Sequence, residues 1–286
     1  MRVLIVVGLV VAAAAATGVA VSAAWSHPKP PDGAMAARPG LFPGVNFVSA
    51  CRFSHRSMDD PIVFPRRPGA SHDHTFVGNT STDAYSTLGR LLAAETTCQR
   101  PGDTAAYWAP TLFDPQGSPV EPVGATVYYR RNTTQSLNAF PAGLRVIAGS
   151  AMADGPQSLR VTFWNCGIAG GVPRSSEIPT CPDGPEAMLR LHVNFPSCWN
   201  GRALDSRDHA SHMAYPEAGR CPAGYPIEVP AISLILRYPV SGGPGYTLAS
   251  GGQHTAHADF FNAWDQRALQ RLVDRCLNGL RHCGRG

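Results

Sequence analysis

Short apolar runs, interrupted at close intervals by Gly, Pro, Asn and Ser, make up most of the chain after residue 41. Many runs are rich in β-branched and aromatic residues, which is typical of strands bounded by turns. We predict strands at 45–48, 62–64, 74–77, 106–112, 125–130, 144–147, 159–164, 187–194, 227–238 and 256–261. No alternation of strands with long helices and no repeat of fixed period is present. The pattern predicts a mainly β fold, either a β-sandwich or a distorted barrel.

Two segments have helical periodicity instead. Residues 265–278 carry apolar side chains at spacings of 3, 4, 7 and 8, with Asp265 in place to cap the start and Gly279 to end the helix. Residues 82–94 have a weaker pattern, which Gly89 interrupts. We therefore expect a few short helices and a C-terminal helix beside the sheets.

The first 24 residues predict export. Arg2 precedes an apolar run at 3–21, and small residues follow at 21–24, as in a signal peptide cleaved after Ala23 or Ala24. The alternative is an uncleaved N-terminal membrane anchor, because the run is nearly long enough to cross a bilayer. Residues 25–40 form a Pro-rich linker, and 41–286 are predicted to form a single globular domain. We expect a secreted, extracellular monomer with no membrane contact after cleavage.

The cysteines agree with an oxidising compartment. All eight follow the predicted signal peptide, and an even number in an exported chain predicts disulfides. Eight cysteines allow 105 pairings, and the spacing favours neighbours in sequence. The favoured pairs are Cys51 with Cys98, Cys166 with Cys181, Cys198 with Cys221, and Cys276 with Cys283. A cysteine zinc site is disfavoured, because it needs close Cys-x-x-Cys pairs that the sequence lacks.

Charge and aromatic residues narrow the choice of partners. The formal net charge is only +4 and no Lys/Arg cluster stands out, so we expect no nucleic-acid partner. Trp199 beside Asn200, and Trp264 beside Asp265, pair a flat ring with a polar group, as sugar-binding sites do. Arg52 is a further ligand-binding candidate, for an acidic group.

Histidines offer the clearest chemistry. Six of the ten histidines fall in three close pairs, at 72/74, 209/212 and 254/257. On an extended strand, His72 and His74 leave the same face, and so do His257 and Asp259. Candidate catalytic residues are therefore His72, His74, His212, His257 and Asp259.

Three uses of these residues stay open. In the first, His72, His74 and His257 bind a divalent ion, zinc or copper, because imidazole suits both. In the second, the imidazoles act without metal as acid and base on a glycan, beside Asp59, Asp60, Asp73, Asp205 or Asp259. In the third, they only brace loops. The spacing matches no His-Glu-x-x-His helix, and no Gly-x-Ser-x-Gly turn is present.

Several blocks together resemble a family of secreted bacterial and fungal domains of unknown function. They are Cys51-Arg52-Phe53-Ser54-His55, Ser71-His72-Asp73-His74-Thr75-Phe76, Asn194-Phe195-Pro196-Ser197-Cys198-Trp199-Asn200, Ser211-His212-Met213 and His257-Ala258-Asp259-Phe260. Asn200 stands where that family commonly has Asp, which removes a carboxylate from that block. The resemblance implies a cell-surface or glycan context and no particular mechanism.

We therefore expect a secreted protein that acts on or binds polysaccharide, or the cell wall, through a histidine-rich, metal-binding cleft. The alternative is a non-catalytic wall- or glycan-binding module, or a structural extracellular domain. The sequence leaves open whether the chain is an enzyme.

Overall fold

The computed structural model describes residues 41–167, 172–184 and 187–285. The predicted signal peptide, 1–24, and linker, 25–40, lie outside these ranges. Within them, no helix has the length and apolar character needed to cross a membrane.

Strands dominate the described chain. They are β1 Asn46–Cys51, β2 Phe53–Ser57, β3 His74–Gly78, β4 Ala106–Pro110, β5 Leu112–Phe113, β6 Pro119–Val120, β7 Gly124–Arg130, β8 Arg145–Gly149, β9 Thr162–Asn165, β10 Leu189–Asn194, β11 Cys198–Trp199, β12 Met213–Ala214, β13 Ile227–Glu228, β14 Ala231–Tyr238, β15 Thr247–Leu248, β16 His257–Phe261 and β17 His282–Arg285. The helices are α1 Leu88–Leu92 and α2 Gln266–Leu272, with a 3₁₀ turn at Gln253–Thr255 and a π-helical segment at Val273–Asn278.

Two large sheets share one core. The six-stranded sheet has the order β17-β1-β7-β14-β10-β9, and the five-stranded sheet has the order β2-β3-β4-β16-β8. Val127 and Leu234 of the first sheet lie in the same buried cluster as Tyr107 and Phe260 of the second. Neither sheet closes into a barrel, and the predicted mainly β, disulfide-braced fold is confirmed.

Strands β3, β4 and β16 of the five-stranded sheet are buried on both faces, whereas the edge strand β2 is half-buried. Along β16, Ala258 and Phe260 point into the shared core, so His257, Asp259 and Phe261 point to the outer face. There Phe261 joins a second buried cluster, which includes residues of α1 and of the segment 59–64. Polar groups on this outer face are therefore enclosed rather than solvated.

The four disulfides are those that neighbour spacing predicts. They join Cys51 to Cys98, Cys166 to Cys181, Cys198 to Cys221 and Cys276 to Cys283. All eight cysteines are used, so no free thiol remains. Four disulfides are typical of an extracellular protein.

The structure corrects one predicted strand and divides two others. Residues 106–112 form β4 and the start of β5, which belong to different sheets. Residues 62–64 form a turn, because the Asp60 carboxylate accepts hydrogen bonds from the amides of Ile62 at 2.8 Å and Val63 at 2.9 Å. Residues 227–238 form two strands, β13 and β14, separated at Pro230, which has no amide hydrogen for a ladder.

The predicted helix at 82–94 is shorter than expected. Only α1 is helical, and Thr87 caps its first turn. The C-terminal helix agrees with its pattern: Asp265 accepts a hydrogen bond from the Ala268 amide at 2.7 Å, and the helical stretch ends at Gly279.

Candidate metal centre

Three histidines converge on the outer face of the five-stranded sheet. His74 opens β3 and His257 opens β16, on either side of β4. Their imidazole centroids are only 5.8 Å apart, although β4 lies between the two strands. His72 lies just before β3, with its ring 4.3 Å from that of His74 and 5.1 Å from that of His257. The cluster predicted as metal ligands is therefore assembled in space.

Hydrogen bonds to the backbone orient two of the rings. His74 Nδ1 donates to the Asp59 carbonyl at 3.0 Å, and His257 Nδ1 donates to the Thr255 carbonyl at 2.8 Å. Since a carbonyl can only accept, Nδ1 carries a proton in both rings, and in neutral His74 the Nε2 atom carries a lone pair. The Nε2 atoms of His72 and His74 are buried without a hydrogen-bond partner. A metal-binding imidazole has this arrangement, in which the second nitrogen is held by a backbone group.

Two carboxylates border the same histidines. Ligand atoms of His72, His74 and His257 lie within 4.8 Å of one another, and so do those of Asp60, His74 and Asp259. Asp259 Oδ2 is buried and has no hydrogen-bond partner. His74 belongs to both groups but has only Nε2 left to offer. The two groups therefore describe one centre, with an imidazole side and a carboxylate side.

Burial controls the protonation of this cluster. Desolvation lowers the pKa of His72 to about 4, and it lowers the pKa of His74 well below its usual range, helped by the neighbouring imidazoles. Desolvation raises the pKa of Asp60 to about 6 and that of Asp259 well above its usual range, where the charge of Asp60 adds to the effect. Near neutral pH the imidazoles of His72 and His74 are therefore in the neutral form that binds metals.

The donor set agrees with a divalent transition metal. Imidazole nitrogen with carboxylate oxygen suits zinc or copper. Two zinc–nitrogen bonds of about 2.1 Å span at most about 4.2 Å, and the ligand atoms of each group, which lie within 4.8 Å of one another, are close enough to share one ion. His74, His257, Asp60 and Asp259 are buried, and only His72 is partly exposed. A ligand from solvent would therefore reach the centre past His72.

His212 has other partners. Its ring nitrogens are within hydrogen-bond distance of Ser206 Oγ, at 2.9 Å, and of the Arg145 carbonyl, at 2.6 Å. Its neighbour His209 contacts Asp205 through Nδ1 at 2.8 Å. In the described part of the chain, His212 joins neither metal-binding group. We therefore leave it out of the centre.

The predicted sugar-binding residues have structural contacts. Trp199 is partly buried, and its Nε1 donates to the Ala203 carbonyl at 2.7 Å. The Asn200 side chain accepts from the amides of Arg202 and Ala203 and so holds a turn. Trp264 is only 1% exposed, which leaves no ring face for a sugar.

Asp265 and Arg52 differ in whether their side chains already have a partner. The Asp265 carboxylate is occupied as the cap of α2. Arg52 is exposed and lines a cavity of 350 Å³. Of these five residues, Arg52 alone borders a cavity with its side chain unengaged in the described structure.

From the sequence, Asp60 was only one of five carboxylates that could act beside the histidines. Its run Asp59-Asp60-Pro61 is typical of a turn, and it does form one. No spacing rule links that turn to His74 or Asp259, because the contact arises when segment 59–64 folds over the sheet. A third group, Cys51, Cys98 and Asp103, is excluded as a metal site because both sulfurs are in a disulfide.

The fold and the site together define a disulfide-braced β-sandwich with a buried histidine–carboxylate centre. Residues 60–264 match the family model described as a domain of unknown function, DUF1996, and the chain belongs to this family. The predicted resemblance to a domain family of unknown function is confirmed. No curated protein and no solved structure matches the chain. The matched range contains His72, His74, His257, Asp60 and Asp259.

Proposed function

We propose that this protein is an exported metalloprotein that acts on polysaccharide through one divalent ion held by His72, His74 and His257. The main support is the convergence of three imidazoles, two of which have buried Nε2 atoms without a hydrogen-bond partner. An unsatisfied buried polar group costs about 1–3 kcal/mol. A single ion bound by these two nitrogens and by Asp259 Oδ2 would satisfy all three unpaired atoms of the centre.

The carboxylates give the centre acid–base capacity. When bound, a divalent ion would supply Lewis-acid activation of a water or substrate oxygen. Burial raises the pKa of Asp60 to about 6, a bound cation would lower it again, and Asp60 would then serve as a proton acceptor beside the ion. Asp60 Oδ1 is held by the Ile62 and Val63 amides, so its position is fixed before substrate arrives.

Three features support the extracellular glycan setting. The sequence of residues 1–24 has the pattern of a cleaved signal peptide. The disulfides are stable in an oxidising compartment. The resemblance to secreted bacterial and fungal domains points to a cell-surface or wall context.

A second function is favoured by the burial of the centre. His74, His257 and Asp259 are almost completely enclosed, as expected when a metal braces a fold rather than catalyses a reaction. In that case the protein is a non-catalytic glycan-binding module with a structural ion.

Measuring the metal content tests whether the protein binds an ion at these histidines. Protein exported without a histidine tag, incubated with zinc or copper and then desalted, should carry about one ion per chain by mass spectrometry. His74→Ala should carry none. His212→Ala is the matched control, because it removes an imidazole that already has two partners, and it should retain the ion. Metal-free wild-type protein, or equal loss in both variants, contradicts the proposal.

Turnover separates the two functions. A panel of soluble polysaccharides is incubated with the metal-loaded protein, and released reducing ends and chain length are measured with and without EDTA. EDTA-sensitive product release supports the enzyme. Retention of a glycan without products supports the binding module.

A further inference from the structure

The outer face of the six-stranded sheet is a separate chemical surface. Tyr129, Trp164, Leu191 and Leu236 point into the core. By strand alternation their neighbours point outward. We call these six neighbours the arginine face: Tyr128, Arg130, Phe163, Arg190, His192 and Arg237. The strands β1, β7, β9, β10 and β14 contain no Asp or Glu, so nothing in the sheet itself balances the arginines.

The arginines are placed against one another. Arg190 on β10 and Arg237 on β14 are directly opposite in the antiparallel register. Like charges in that position destabilise a strand pair. The Nε atoms of both side chains are buried and have no hydrogen-bond partner. An anion that bridges the two guanidinium groups would offset their repulsion and give both Nε atoms a hydrogen-bond acceptor.

Two more guanidinium groups stack on aromatic rings of the same face. Arg130 lies over Tyr128 and Arg174 over Phe163, each with Cζ at 4.4 Å from the ring centroid. Within the described chain, Arg130, Arg174, Arg190 and Arg237 form neither an ion pair nor a side-chain hydrogen bond. Four positive groups are therefore held near one sheet face without a counter-charge.

The pKa of His192 reflects the positive charge of these arginines. Its ring stacks on Phe163 at 4.2 Å, and its Nε2 donates to Asn165 Oδ1 at 3.0 Å. Burial lowers the pKa of His192 to about 3, and repulsion from Arg174, Arg190 and Arg130 adds to the effect. The imidazole stays neutral, which leaves the arginines as the cations of this face.

We propose that the arginine face binds an acidic polysaccharide, with guanidinium groups on its carboxylate or sulfate groups and the half-buried Tyr128 beside its sugars. Arg recognises planar and tetrahedral oxyanions with paired hydrogen bonds. From Gly124 to Arg130 the face extends roughly 20 Å along β7, which gives an extended chain several contacts. Near Gly124, Arg237 also lines the 350 Å³ cavity that Arg52 borders. The arginine proposed from sequence to bind an acidic ligand thus adjoins this face.

This surface does not depend on the proposed metal centre. The arginine face is the outer side of the six-stranded sheet, and the centre is on the outer side of the five-stranded sheet, across the shared core. Binding here would hold a glycan without placing it on the ion.

Affinity electrophoresis through gels containing polygalacturonate, dextran sulfate or a neutral β-glucan tests the proposal. The wild-type protein should be retarded by polygalacturonate or by dextran sulfate and not by the neutral glucan, and the two acidic gels distinguish carboxylate from sulfate recognition. Arg190→Gln combined with Arg237→Gln should raise the dissociation constant roughly 10- to 100-fold. The exposed single variant Arg130→Gln provides a test that leaves the strand pair untouched. Arg271→Gln is the control, since it removes an equal charge from an exposed position on α2.

Three results would overturn the proposal. One is equal weakening by Arg271→Gln and the face variants, which would indicate unspecific attraction of charge. Another is binding of duplex DNA or of phosphatidylserine vesicles as tight as that of either acidic glycan. The third is loss of acidic-glycan retention in His74→Ala with full retention in the arginine variants. The opposite result supports the arginine face: the arginine variants lose retention but keep a normal metal content, and His74→Ala is retained normally. That support is independent of the metal proposal.

Discussion

A buried polar chain crosses the core between the two sheets, and it predicts a measurable pH dependence. Trp264 Nε1 donates to the Tyr129 hydroxyl at 2.8 Å, and the Tyr129 hydroxyl is hydrogen-bonded to that of Tyr107. The Tyr107 hydroxyl is 3.0 Å from both carboxylate oxygens of Asp103. Asp103 is completely buried. The chain thus ends on an acid that has no contact with water.

Desolvation raises the pKa of Asp103 to about 7, although hydrogen bonds from Ser49 and Tyr107 act in the opposite direction. The unfolded chain holds this acid near its ordinary value of 3.8. Folding therefore favours the protonated form, so the stabilising contribution is fully present below about pH 4. It decreases as the pH rises towards 7. Three pKa units correspond to about 4 kcal/mol in total, of which about 3 kcal/mol falls between pH 5 and pH 8.

Asp103→Asn isolates this contribution, because the amide mimics the protonated acid in shape and does not titrate. Urea unfolding of both proteins at pH 5 and pH 8 gives two free-energy differences, wild type minus variant. We expect this difference to decrease by about 3 kcal/mol at the higher pH. A difference that is the same at both pH values would refute the reasoning, since Asp103 would then have the same protonation in the folded and unfolded chains.

Three further predictions concern the centre and its support. Zinc at 100 times its dissociation constant should stabilise the fold by about 2.7 kcal/mol, which raises the Tm by roughly 5–10 °C in a domain of this size; EDTA should reverse the shift, and a full shift in His74→Ala would contradict the assignment. Gly149→Ala should weaken zinc binding about tenfold or more in a titration, because Gly149 has φ +84° and a Cβ there would lie 2.9 Å from the Cα of His257; unchanged affinity would show that β8 does not position that ligand. Replacing Cys198 and Cys221 with Ala should cost about 3 kcal/mol in urea unfolding, from the 23-residue separation that the bridge closes; an unchanged midpoint would show that the intervening loop is constrained without it.

The sequence correctly predicted the features that depend on residues close together in the chain or on the order of the cysteines. Strands such as β7 and β10 alternate apolar and polar residues, and the C-terminal helix has its own periodicity and cap. The order of the cysteines predicted all four bridges, because each bridge joins two cysteines that are consecutive in the chain. The pairing of His72 with His74 is also local, since two alternate positions of an extended segment share a face.

The centre and the arginine face depend on contacts between distant segments. His257 meets His74 because β4 lies between β3 and β16, and Asp60 joins them because a turn folds over the sheet; no residue spacing encodes either event. Arg190 and Arg237 are unremarkable in sequence and become a charged pair only through the β10–β14 register. Local pattern and the order of the cysteines were therefore enough to predict the β-rich class, the four bridges and the shared face of His72 and His74. The other members of the cluster, His257, Asp60 and Asp259, join them through sheet order and burial, which are set by the whole core rather than by neighbouring residues.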